Sequence, residues 1–173
     1  PDAAGKPTSH PHAFAAVGGE QCTCDVSMTR DAVTMRAGIR GLKILKTTES
    51  GFVDYHRDEL TTLEPTEDRI FATTLEADWS CIDPEADWTA ERAAIRAAML
   101  DVFANRYSPS VQATLFEMAE AAFAASGKID EISLAMPNQH HLLVDLTPFG
   151  LDNANEVFVP TDEPHGDIRA TVA

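Results

Sequence analysis

Between residues 87 and 127 the chain carries two consecutive stretches with apolar residues at helical spacing, and on either side the pattern drops to a period of two. That switch constrains the fold more than any other feature. In the first stretch Trp88, Ile95, Met99, Val102 and Phe103 share one stripe. Asp87 can accept from the free N–H groups of the opening turn, and Glu91 sits where the helix dipole favours an anion. In the second stretch Val111, Leu115, Ala119, Ala122 and Phe123 form the apolar face. Ser108-Pro109 reads as a capping serine followed by proline at the first helical position, and Gly127 stands where a C-terminal cap belongs. Before the helices, residues 20–29, 31–39, 41–48 and 69–78 read as strands. After them Ile132, Leu134 and Met136 alternate, Pro137-Asn138 breaks the run, and 140–146 resumes it. The tail, 147–173, is rich in turn residues and ends in a strand-like IRATV. Strands, two helices, then strands is not the strict alternation of a parallel sheet. It predicts an α+β domain with an antiparallel sheet and both helices on one face. Residues 1–18, rich in Pro, Gly, His and Ala, read as an arm or loop, and 49–68 as a polar connection containing Phe52 and Tyr55.

A length of 173 residues fits one domain with a real core, and a hydrophobic content of 44% excludes a disordered tail. Thirteen Lys and Arg against 28 Asp and Glu leave a formal charge of -15, which disfavours nucleic acid and anionic membrane as partners. No apolar run approaches the roughly 20 residues of a membrane span, and no signal-peptide pattern opens the chain. Three cysteines (Cys22, Cys24, Cys81) are an odd number, so a reducing, cytosol-like compartment fits better than a disulfide framework. The first residue is Pro1 rather than Met, which reads as a processed product or a fragment.

Ligand-type residues occur as His10/His12, Cys22/Cys24 and His140/His141, but none has the spacing of a standard zinc site. Adjacent His140 and His141 on a strand would face opposite ways. No nucleophile elbow, Walker loop or dinucleotide fingerprint is present. The residues alone therefore describe an acidic α+β domain and stop there.

Four segments extend the reading: GLKILKTTESGF (41–52) with RDELTTLEPTEDRIFAT (57–73), SVQATLFEMA (110–119), EISLAMPNQHHLLVDL (131–146) and NEVFVPTDEPHGDIRATV (155–172). In their order and gaps they resemble the urate oxidase (uricase) family, and His12-Ala13-Phe14 resembles an element before one of its strands. The resemblance implies a tunnelling fold (T-fold): an antiparallel four-stranded sheet with two helices on one side. Family members carry two such domains and assemble as homotetramers with active sites between subunits. By that likeness residues 19–173 correspond to the second domain, with the upstream domain missing.

The same resemblance assigns a site. Phe52 would stack on the purine, as an aromatic ring suits a flat ligand. The fork of Arg69 would grip two acceptors on one edge of the urate ring. The carboxamide of Gln112, with the backbone of Val111, would read the opposite edge. Asn138 would hold dioxygen or the attacking water over the ring. His140 would belong to a Lys-Thr-His proton relay, a role suited to a group titrating near neutrality. The implied reaction takes urate, dioxygen and water to 5-hydroxyisourate and hydrogen peroxide, with no metal and no organic cofactor. In the family the Lys and Thr of the relay lie in the upstream domain. Lys6, Lys43 and Lys46 do not match their motif, so the chain alone is expected to be inactive. Two alternatives stay open: another T-fold purine or pterin enzyme, against which the NQH and SVQ matches count, and a non-catalytic binding or assembly remnant. Location would be cytoplasmic, or peroxisomal in a eukaryote, although Thr171-Val172-Ala173 is not the peroxisomal signal.

Overall fold

The computed structural model describes residues 10–62, 64–161 and 163–173. Lys6 and half of the predicted arm, residues 1–9, lie outside them. The part of the arm that is described is not all loop: Ala13–Ala15 is strand β1, paired with Ile44–Lys46. The remaining elements are β2 (Gln21–Met28), β3 (Val33–Lys46), β4 (Phe71–Cys81), α1 (Trp88–Asn105), α2 (Val111–Ala125), β5 (Ile129–Asn138), β6 (His141–Leu143), β7 (Phe158–Pro160) and β8 (Gly166–Val172). The main sheet is antiparallel, in the order β3-β4-β5-β8, with β1 and β2 sharing the outer edge of β3. It thus has six strands, two more than the minimal T-fold sheet. β6 and β7 form a separate two-stranded ribbon.

Both helices pack on one face of the sheet, as predicted. From that face Ile39, Leu42, Ile44, Phe71, Leu75, Trp79, Ile132, Leu134 and Met136 meet Ile95, Met99, Phe103, Leu115 and Met118 in one core. At ~25 cal/mol per Å² of apolar surface removed from water, this contact is the main stabilising term. The opposite face carries Arg36, paired with Asp78 and Glu131, together with Thr74, Glu76, Ser133, Arg169 and Thr171.

Segments 31–39 and 41–48, predicted as separate strands, are one 14-residue strand. Its register against β4 slips between Ile39 and Leu42, two residues on β3 (Arg40 and Gly41) opposing one on β4 (Glu76), and Gly41 takes φ 71° there. This is a bulge that uses glycine for a left-handed backbone. It also inverts the parity of the strand. Ala37 and Ile39 face the core before it, and Leu42, Ile44 and Lys46 face the core after it.

Three further boundaries differ from expectation. The cap of α2 is Ser110, whose hydroxyl accepts from the Ala113 N–H at 3.1 Å, not Ser108. Pro109 biases Ser108 toward extended backbone, where Ser108 bridges to Ser50 and its hydroxyl accepts from Thr114 at 2.6 Å. Helix α2 ends on Ser126 in extended geometry, and Gly127 is not left-handed. Pro137-Asn138 does not break β5, because Pro137 still pairs with Asp167 and Asn138 with Gly166. The chain leaves the sheet only after Gln139, whose N–H donates to the Ala72 carbonyl at 3.0 Å. Asp87 caps α1 as predicted, accepting from Thr89 and Ala90.

Candidate active site

The predicted site residues come from three places: the connection after β3, the start of α2, and the end of β5. Backbone hydrogen bonds join the first two. The N–H groups of Gly51 and Val53 donate to the carbonyls of Ser108 (2.7 Å) and Pro109 (3.2 Å), and the Ser108 N–H donates to Glu49 (2.9 Å). On the other side, Phe52 and Thr66 exchange N–H···O bonds of 2.6 and 3.0 Å. Phe52 is therefore held from both flanks, between two residues of positive φ, Glu49 and Asp54. Its ring stacks on Tyr55, with centroids 4.4 Å apart and planes 15° from parallel. Gly51 has to be glycine. A Cβ there would run into the Tyr107 hydroxyl and lie 2.6 Å from the Thr66 carbonyl.

Arg69 ties this junction to β5. Its backbone N–H donates to Ser50 (2.7 Å), its Nε to the Gly51 carbonyl (2.9 Å) and its Nη1 to Asn138 Oδ1 (2.9 Å). An arginine only donates, so the oxygen of Asn138 must face it and the Asn138 amide N–H groups are left for another acceptor. Nη2 of Arg69 is buried and has no partner among the described residues. Burial pulls the Arg69 pKa below the ordinary arginine value, partly offset by Tyr107. A partly desolvated cationic fork with a buried spare donor favours an acceptor, best of all an anionic one.

Val111 is buried, so its side chain belongs to the core. Its N–H and that of Gln112 open α2, where helical geometry supplies no intrahelical acceptor. Gln112 is exposed, and its carboxamide makes no hydrogen bond with a described residue. It joins the site through the Ser108–Pro109 backbone, not through side-chain contact with Arg69. His140 is half-buried, and its carbonyl accepts from the Thr161 N–H at 2.9 Å. Desolvation first, then the charges of Arg69 and His165, lower its pKa below the usual histidine value, which favours the neutral ring. The structure thus hydrogen-bonds Arg69 to Asn138 and to Ser50 and Gly51, the two residues that precede Phe52, brings His140 within the field of Arg69, and attaches Val111 and Gln112 by backbone.

The family model described as Uricase matches residues 35–169. This chain belongs to the uricase family. A uricase from Arthrobacter globiformis is 43% identical over 163 residues, covering 94% of this chain and 54% of that protein. A uricase from Oryctolagus cuniculus is 35% identical over 174 residues, covering 94% and 57%. The crystal structure of Arthrobacter globiformis uricase superposes with a TM-score of 0.85 over 88% of this chain and 53% of that one. A hyperthermostable mutant of Bacillus sp. TB-90 urate oxidase shares the fold at 19% identity, with a TM-score of 0.73 over 89% and 54%. The chain spans about half the length of the uricases it matches. The α+β T-fold predicted from the sequence is the fold observed.

Two participants escaped the sequence reading. Tyr107 donates to the Glu67 carbonyl at 3.0 Å and packs over Gly51. Lys46 is fully buried, with its Nζ donating to the Arg106 carbonyl at 2.7 Å. The bulge glycine at position 41 was the available signal for Lys46, because one extra residue turns it inward. No helix is long and apolar enough to cross a membrane among the described residues.

Proposed function

We propose that this chain supplies the urate-binding part of a urate oxidase, with residues 19–173 acting as the second of two T-fold domains. The observation that carries the reading is Arg69. It is a half-buried arginine whose Nη2 is fully buried, oriented by Gly51 and Asn138, with one donor nitrogen unused and no acidic ion-pair partner among the described residues. The planar urate anion offers that donor a carbonyl edge. Phe52 supplies a stacking surface, and Gln112, with the free N–H of Val111, suits the ring's opposite edge.

The chemistry then needs little beyond placement and proton movement. Urate gives two electrons to dioxygen, water adds at C5, and the products are 5-hydroxyisourate and hydrogen peroxide. The amide N–H groups of Asn138 are available to dioxygen or the water above the ring. A neutral His140 can accept a proton and pass it on. Fixing the reactants in register lowers the entropic part of the barrier. The reaction as written uses neither metal nor organic cofactor. Family likeness assigns the relay's Lys and Thr to the upstream domain, so the 173-residue chain should bind the ring but turn it over negligibly. The exposed apolar side chains of the β6–β7 ribbon, Leu142, Leu143 and Val159, support assembly into a homo-oligomer, a tetramer by family likeness. The three free cysteines, two of them exposed, support a reducing compartment.

The test follows urate absorbance and peroxide release, with and without chelator, for the chain alone and covalently joined to an upstream uricase domain. The expected result is negligible turnover alone and chelator-insensitive peroxide release when joined. Robust turnover by the chain alone, or chelator-sensitive activity when joined, would overturn the reading.

A further inference from the structure

Among the described residues Lys46 is the one lysine in the set of largest fully buried side chains, and the binding chemistry above does not use it. The bulge at Gly41 puts it there, since with unbroken alternation the strand would turn this side chain to the open face. Its Nζ donates to the Arg106 carbonyl at 2.7 Å and lies 5.7 Å from the centroid of Phe103. No carboxylate forms an ion pair with it among the described residues; Glu49 and Glu117 act on it only at longer range, and Arg69 opposes them. Desolvation accordingly pushes its pKa down to about 8. A buried cation with one neutral acceptor is a poor way to stabilise a core.

What it holds is informative. Arg106 is the last cap of α1 and begins the connection to α2. Within the next few residues Tyr107 packs over Gly51, Ser108 exchanges hydrogen bonds with Glu49 and Gly51, Pro109 accepts from Val53, and Ser110 starts the helix that carries Gln112. Every contact that fixes Phe52 on this side thus starts from the segment Lys46 grips.

We propose that Lys46 is a positioning residue for the ring-binding site: its ammonium anchors the α1–α2 connection and thereby holds the Phe52 and Gln112 segments in register. The anchoring stands on the contacts alone, and only its consequence for affinity rests on the urate reading. The link also explains why a charge is kept where a methionine would pack.

Amide hydrogen exchange on the 173-residue chain, wild type and Lys46→Met, tests this. Protection at Gly51, Val53 and Ser108 should fall about tenfold or more, the scale of one charge-assisted hydrogen bond. Leu75 and Leu134 in the central sheet should change less than about twofold, and Tm should hold or rise. Unchanged loop protection, or a loss shared equally with the sheet, overturns the proposal. If the variant does not fold, the wild type decides. Protection at the three amides, corrected for intrinsic exchange, should rise with pH around the midpoint of the Lys46 ammonium itself, read from its Cε shift, because an opening that frees these amides also returns the buried ammonium to water and takes up a proton. A different midpoint, or no rise, overturns it. Urate added to both proteins separates the two readings. Lower urate affinity in Lys46→Met supports the consequence, and equal affinity refutes it. No urate response at Arg69 in the wild type refutes the urate reading and leaves the anchoring result standing.

Discussion

Replacing Arg69 by methionine keeps most of the side chain's volume against Phe71, whose ring centroid lies 5.4 Å from the guanidinium carbon, and removes the charge. Two hydrogen bonds disappear, to the Gly51 carbonyl and Asn138 Oδ1, both 2.9 Å. Bonds from a charged donor contribute about 1.5–3 kcal/mol each, so the gross loss is roughly 3–6 kcal/mol. Most of that is offset. The guanidinium is desolvated enough to depress its pKa, and one of its nitrogens is unsatisfied. Half-buried Asn138 can turn to water, and the backbone bond from position 69 to Ser50 survives. The expected net cost is about 1–2 kcal/mol, a fall in Tm of roughly 2–8 °C for a domain of this size. Urate, by contrast, loses a charged donor with no substitute, about 3–4 kcal/mol, or 10²–10³ in affinity. His140 reports independently: with the nearby positive charge gone, its pKa should rise. Thermal unfolding by circular dichroism, urate titration and imidazole NMR read the three quantities. A Tm collapse far beyond this range would make Arg69 a structural strut. Unchanged urate affinity, or a His140 pKa that stays put or falls, would refute the electrostatic argument.

Other perturbations follow the same logic. Gly51→Ala forces a Cβ against the Tyr107 hydroxyl and the Thr66 backbone, so the junction should open. Urate response should vanish with a stability loss of about 1–3 kcal/mol, and a normal response would contradict the fit. Ser110→Ala removes the cap of α2 and should cost about 1 kcal/mol in denaturant unfolding, whereas Ser108→Ala acts through its buried bond to Thr114 and not through the cap. Lys46 has a folded pKa of about 8 against 10.5 unfolded, so its burial costs roughly 3 kcal/mol at neutral pH. The unfolded chain binds the extra proton between those values, so that cost is relieved as pH rises from about 8 to 10.5. The stability difference between wild type and Lys46→Met should therefore shift in favour of wild type across that window, and a pH-independent difference would count against it.

The helices were legible because packing on a sheet demands a 3.6-residue stripe, and Asp87 and the Ile95–Phe103 face followed from it. The long strand β3 was not, because one bulge residue at Gly41 reverses the alternation and makes one strand read as two. Ser108 was mistaken for a cap because both Ser108 and Ser110 flank Pro109, and only the tertiary bridge to Ser50 decides between them. Pro137 looked like a breaker, but its pairing with Asp167 lets the strand continue. As for the site, periodicity pointed to none of it. Phe52, Arg69, Gln112, Asn138 and His140 were found through family motifs. The junction of residues 50–53 with 66 and 108–109 is made of backbone groups far apart in sequence, and side-chain patterns carry no trace of such bonds.

The most direct test of the central claim is chemical-shift mapping of urate on the isotope-labelled chain. The account predicts saturable shifts clustered at Phe52, Arg69, Val111, Gln112 and Asn138, lost in Arg69→Met. No saturable shift, or a cluster centred instead on the groove lined by Phe14, Lys43, Gln139 and His141, would contradict it.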